Sequence, residues 1–125
     1  MDEAFKIEYR EDHVHVQFGS SYTADTEWQN ELWDLLRKFC DGHDTHRIFA
    51  EGVLPAPDRP APAVIEAAKK TAVIPNLWLA FHFDDYEPTE KTELYEVVAG
   101  SHGVRVKFFT DREHALKWLR ANSPK

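Results

Sequence analysis

The chain has 125 residues, 42% hydrophobic and 30% charged, the mixture of one ordinary globular domain with a single core spanning residues 1–125. Its 22 acids against 15 Lys and Arg leave a net charge of −7, a total that argues against a nucleic-acid-wrapping protein, which needs a cationic surface. One cysteine, Cys40, excludes a disulfide framework and a Cys-rich zinc fold; the acidic start lacks the plan of a secretory signal, and the longest apolar stretch, Leu77 to Phe81, is too short to cross a bilayer. The expectation is a soluble cytoplasmic protein with no integral membrane segment.

The chain opens with two alternating runs. Phe5, Ile7 and Tyr9 alternate with Lys6, Glu8 and Arg10, and Val14, Val16 and Phe18 with His13, His15 and Gln17. Period two means half-buried strands. A turn at Glu11-Asp12 pairs Arg10 with His13, Glu8 with His15, Lys6 with Gln17, Tyr9 with Val14, Ile7 with Val16 and Phe5 with Phe18. That one register sorts every apolar residue to one face. A helix is predicted next, from Ala24 to Asp41, capped by Thr23 and stopped by Gly42, with Trp28, Leu32, Leu35, Leu36 and Phe39 on its apolar stripe. Trp33 lies one residue off that stripe, as a flank contact or part of an exposed patch. Cys40 sits beside the stripe and reads as packed rather than reactive.

Thr45 to Ala50 reads as a short strand. Gly52 to Pro62 holds four of the seven prolines, which exclude helix and central strand and favour a stiff extended path. A second helix is predicted over Ala63 to Thr71. The strand Leu77 to Phe83, apolar on both faces except at His82, is the central one. After Asp84-Asp85-Tyr86-Glu87-Pro88 comes a helix over Thr89 to Ser101 with Leu94, Val97 and Val98 inward and Gly103 past its end. A last strand carries Val104, Val106 and Phe108. Thr110-Asp111-Arg112-Glu113 reads as a capping box with Thr110 at the cap, opening a helix with Ala115, Trp118 and Leu119 inward.

The order ββαβαβαβα predicts an α/β fold, a mixed five-stranded sheet with four helices, its later strands parallel and its first pair an antiparallel hairpin. Together with the closing segment from Gly103 to Leu119 (a strand, a Thr-Asp cap, an acidic first turn and an Ala-x-x-Trp-Leu helix) this order resembles the STAS domain. The closest resemblance is to its SpoIIAA-like branch of small bacterial proteins. In the anti-sigma-factor antagonists of that family a phosphorylatable Ser or Thr lies between the third strand and the next helix. Here Glu51-Gly52-Val53-Leu54-Pro55 holds that place, and no Ser or Thr occurs between Thr45 and Thr71. The resemblance therefore implies a regulator without the usual phospho-acceptor, or a domain that binds a lipophilic small molecule or a protein partner.

Open α/β sheets bind ligands beyond the carboxyl ends of their strands. Glu51, Val53, Leu54, Asp84, Asp85, Tyr86 and Thr110 are the candidates for one such rim. Carboxylates there can do acid–base work if burial raises one pKa, which gives a small hydrolase or isomerase as the alternative. No nucleophile–base pair and no glycine-rich phosphate loop stands out, so the first reading is a non-catalytic domain with no cofactor and no metal. His13 and His15 project from the polar face of the hairpin, where paired histidines usually sit in solvent, and His82 can share that face. Three imidazoles around one point would bind zinc, but nothing in the sequence brings the strands together. If helices cover only one sheet face, Trp78 needs a second cover. His13, His15, Trp78 and His82 then mark a candidate partner surface, a homodimer among the candidates.

Overall fold

The structure, a computed structural model, describes residues 5–10, 13–19, 26–52, 61–74, 76–83 and 90–121, leaving aside the side chains of residues 26–28 and 91. The elements run β1 (Phe5–Arg10), β2 (His13–Phe18), α1 (Thr26–His43), β3 (Arg47–Gly52), α2 (Ala61–Lys70), a 3₁₀ turn (Thr71–Val73), β4 (Trp78–Phe83), α3 (Glu90–Ser101), β5 (Arg105–Phe109) and α4 (Arg112–Ala121). The fold is α/β, with one five-stranded sheet in the order β1-β2-β3-β4-β5. β1 and β2 are antiparallel in the six pairings expected, from Phe5 with Phe18 to Arg10 with His13. The other three pairings are parallel.

Each crossover steps to the next strand in the same direction. One preferred hand of crossover then puts every connecting helix on the same face. The packing agrees: Leu32, Trp33 and Leu36 of α1, Val64, Ala67 and Ala68 of α2, and Tyr95 and Ala99 of α3 share one cluster with Val14, Val16, Ile48, Ala50, Leu79 and Phe81 of the sheet. α4 follows the last strand, is no crossover, and closes the opposite face, where Ala115 and Leu119 pack on Phe49 and Ala80. β4 is thus covered on both sides. Trp33 is core, not surface.

Several boundaries move for identifiable reasons. α1 runs through Gly42, and its left-handed terminal residue is Asp44 (φ 51°). Thr45 N–H donates to Cys40 O at 3.0 Å and Asp44 N–H to Asp41 O at 3.4 Å, a Schellman end with Asp in place of glycine. α3 ends the same way with the expected Gly103 (φ 84°), Val104 N–H donating to Ala99 O at 3.0 Å. α2 begins at Ala61, so Pro62 lies in a first helical turn, where its missing N–H costs nothing. In α3 the inward stripe is Thr92, Tyr95 and Ala99, flanked by Leu94 and Val98, and Val97 is 69% exposed. At 3.6 residues per turn Val97 lies about 200° around the helix from Tyr95, so it cannot share that face. α4 is capped by Asp111, whose Oδ1 accepts the Glu113 N–H at 3.3 Å, and not by Thr110. The Glu11-Asp12 turn, the Thr23 cap, the Trp28 side chain and the proline-rich segment up to Pro60 lie outside the described residues.

Candidate functional site

The parallel register places the carboxyl ends of β3, β4 and β5 along one rim. Glu51 pairs with His82 and Gly52 with Phe83, while His82 pairs with Phe109. Of the proposed rim, Glu51 and Thr110 are described, Thr110 being exposed; Val53, Leu54, Asp84, Asp85 and Tyr86 lie outside the described residues. Gly52 brings β3 tight against β2. It has φ 121°, and a Cβ there would sit 2.4 Å from Phe18 O and 2.7 Å from Gln17 Nε2. Only glycine tolerates both that backbone and that approach.

Glu51 is the hub of a polar chain on the α4 face of the sheet. Its Oε2 meets His15 Nε2 at 2.7 Å, and its two oxygens accept from Arg112 Nε at 3.3 and 3.2 Å. An ionised carboxylate only accepts, so His15 carries its hydrogen on Nε2 and donates it. The chain continues on the other side. His15 Nδ1 lies 4.0 Å from Glu8 Oε1, and that carboxylate pairs with Arg10 at 2.5 Å. Phe49, fully buried, is the apolar floor. His13 and His15 approach its ring at 6.1 and 5.8 Å between centroids, and the Arg112 guanidinium lies 5.6 Å above it. Four strand and helix segments (β1, β2, β3 and the first turn of α4) are laced together by these groups.

The electrostatics follow from burial and pairing. Burial alone would raise the Glu51 carboxyl, but the His15 hydrogen bond and the Arg112 charge outweigh it and hold the group below the usual carboxylate range. Burial pushes His15 below the ordinary imidazole value, against the opposing pull of Glu51. Arg10, by hydrogen bond and charge, lowers Glu8. Glu51 is therefore ionised, and His15 is held neutral beside it.

This corrects the reading of the hairpin histidines. His13 and His15 are 5% and 3% exposed, not solvated, because Phe49 from the next strand closes over them and Glu51 supplies a partner. β3 stands between β2 and β4, so His82 is the neighbour of Glu51 and not of His15. Among the described residues no three His, Cys, Asp or Glu side chains are placed to hold a metal. Trp78 has its second cover within the chain: its ring meets Trp118 of α4 at 5.3 Å, and Arg105 lies 4.8 Å above it. Its indole N–H and His82 Nδ1 are buried without a hydrogen-bond partner among the described residues. Burial pushes the Cys40 thiol up to about 12, so it is a packed, unreactive side chain.

Sequence reasoning missed Arg112, the cation that completes the site. It also missed a groove of about 220 Å³ on the far face, between α1 and the 3₁₀ turn, lined by Asn30, Trp33, Asp34, Arg37, Lys70 and Val73. Lys70 Nζ donates across it to Asn30 Oδ1 at 2.8 Å. No helix among the described residues is long and apolar enough to cross a membrane. Set against known proteins, the chain matches no family model, no curated protein and no solved structure.

Proposed function

We propose that this chain is a non-catalytic binding or regulatory domain, SpoIIAA-like within the STAS type, that works by contact with a protein partner. The observation that carries the reading is the condition of Glu51. It is the described carboxylate best placed for acid–base work at the strand ends, and both its oxygens are engaged by His15 and Arg112. A general acid near neutral pH needs a raised carboxyl pKa, and Glu51 moves the other way. Its geometry suits a tie between elements rather than a proton carrier. The element order supports the family likeness. The lack of Ser and Thr between Thr45 and Thr71 argues against phospho-control at the family's usual place.

Of the two binding modes, a protein partner is favoured over a lipophilic small molecule. The groove beside Trp33, at about 220 Å³, falls below the ~300–1,000 Å³ of ordinary ligand sites, and charged side chains line much of it. Native mass spectrometry of freshly purified protein tests the proposal, and the expected spectrum contains the chain in a stoichiometric protein complex. Turnover of ester, amide or isomerisable carbonyl substrates that vanishes in a folded Glu51→Gln variant would overturn it in favour of a small hydrolase or isomerase. A spectrum showing only the bare chain with a bound lipophilic molecule would replace the partner with a ligand.

A further inference from the structure

The two edges of the sheet differ in how they would meet a strand from outside. One edge is β1, Phe5-Lys6-Ile7-Glu8-Tyr9-Arg10, with no strand beyond it among the described residues. Directly opposite residues of an antiparallel pair share a sheet face. A second β1 related by a two-fold axis can therefore pair only in registers that keep odd with odd and even with even. Centred on Ile7, the pairing sets Ile7 on Ile7, Phe5 on Tyr9 twice and Lys6 on Glu8 twice. Apolar meets apolar on one face and cation meets anion on the other.

The side chains of β1 keep exposed surface, although one face of the Tyr9 ring stacks on His43 at 4.0 Å. Phe5 and Ile7 are only partly buried and Tyr9 is 36% exposed, so the apolar row has surface left to cover. Lys6 is exposed. The contact of Glu8 with Arg10 runs through Oε1, which leaves Oε2 for a second cation.

The opposite edge, β5, has no such register. In Arg105-Val106-Lys107-Phe108-Phe109, centring on Val106 sets Arg105 against Lys107 twice, and centring on Lys107 sets that ammonium against itself. Glu96 Oε2 also takes the Phe108 N–H at 3.0 Å. That edge is blunted in the way natural sheets avoid pairing. It also closes off head-to-tail growth from β1 to β5, which would give open filaments.

We infer that the partner surface is β1 and that the partner is a second copy of this chain, the two sheets joined through an antiparallel β1–β1 pair centred on Ile7. The inference rests on the reading of a domain that acts by protein contact, and it names the partner.

Charge reversal tests it, with sedimentation velocity and native mass spectrometry as readouts and circular dichroism as the check on folding. The wild-type protein is expected to be a dimer. Lys6→Glu and Glu8→Lys each turn two attractive pairs into like-charge pairs and weaken dimerisation by about tenfold or more. The double variant Lys6→Glu/Glu8→Lys restores it. An equimolar mixture of the two single variants forms the heterodimer, since one chain then carries two acids where its partner carries two bases. A wild-type protein that stays monomeric up to about 1 mM, a millimolar Kd being negligible affinity for a protein pair, overturns the inference. So does a dimer indifferent to the reversals, or a mixture that fails to pair. Where a single variant does not fold, the double variant decides: it dimerises like the wild type or the inference is lost. In each failure, a different protein captured in the native spectrum leaves the broader reading standing, whereas Glu51-dependent turnover removes that reading itself.

Discussion

Replacing Glu51 by alanine isolates the tie between the hairpin, β3 and α4. The substitution strands the His15 Nε2–H, in a side chain 3% exposed, without its acceptor. An unsatisfied buried donor costs about 1–3 kcal/mol. The Arg112 contact contributes less, about 0–1 kcal/mol, because that side chain is 47% exposed and solvent screens it. Together these give a loss of about 1–4 kcal/mol at pH 7. For a domain of this size that lowers Tm by roughly 3–16 °C. Urea unfolding followed by tryptophan fluorescence measures the difference directly.

The loss depends on pH. Glu51 has a lowered carboxyl pKa in the folded protein. Its contribution is therefore present above the unfolded carboxylate value and is lost as pH falls through the folded one. The gap between wild type and Glu51→Ala should persist at pH 5 to 8 and close as the pH falls well below about 4.5. Glu8 titrates in both proteins and cancels. His15 acts in the same direction but higher up. Its depressed pKa means the unfolded chain takes up the proton first as pH falls through about 6.5, so stability declines from there by at most ~1.4 kcal/mol per pH unit. A gap below about 0.5 kcal/mol at pH 7, within the range of ordinary surface substitutions, refutes the argument. So does a gap unchanged down to pH 3.

Two further outcomes follow from the geometry. Gly52→Ala drives a Cβ to 2.4 Å from Phe18 O at a φ of 121°, so it should lower stability by more than about 3 kcal/mol or abolish folding, and a melt within ~2 °C of wild type would show that β2 and β3 are not so close. In α3, Tyr95→Ala removes a ring packed edge-on against Phe81 and Phe108 at 5.5 and 5.6 Å and should cost about 3–4 kcal/mol, whereas Val97→Lys, about 200° around the helix on the exposed face, should stay within ~0.5 kcal/mol in the same urea assay.

What the sequence disclosed and what it hid divide by range. The hairpin register was legible in all six pairs, because alternation on both arms and two intervening residues leave one alignment that keeps the apolar faces together. The element order and the mixed sheet were legible for the same reason, each element stating its own period. Apolar character points to Val97 as an inward residue, but the helical angle puts Tyr95, with its hydroxyl, on the inward side. Gly42 reads as the stop of α1 because glycine is the usual left-handed residue, yet the helix runs two residues past Asp41, to His43, and Asp44 accepts that conformation. The candidate site was legible only in part. Glu51 was named, but the burial of His13 and His15 depends on Phe49 and Glu51 of β3, and no pattern within the hairpin reports what lies across the sheet.

Arg112 marks where a local signal pointed past its own element. It is the first residue of α4, at the positive end of the helix dipole, where a cation is disfavoured by about 0.3–1 kcal/mol. The acids beside it, Asp111 and Glu113, are what that position ordinarily selects. A charge that contradicts its own helix needs a partner elsewhere, and the structure supplies one in Glu51, an acid held in a strand between apolar neighbours. Each is locally out of place, and each answers the other. Taken as a pair, the two misfits place the start of the last helix at the carboxyl end of the third strand. That is the packing that covers Phe49, Ala80 and Trp78 with α4, while β1 is the outer strand of the sheet among the described residues, its Phe5 and Ile7 partly buried and Tyr9 36% exposed.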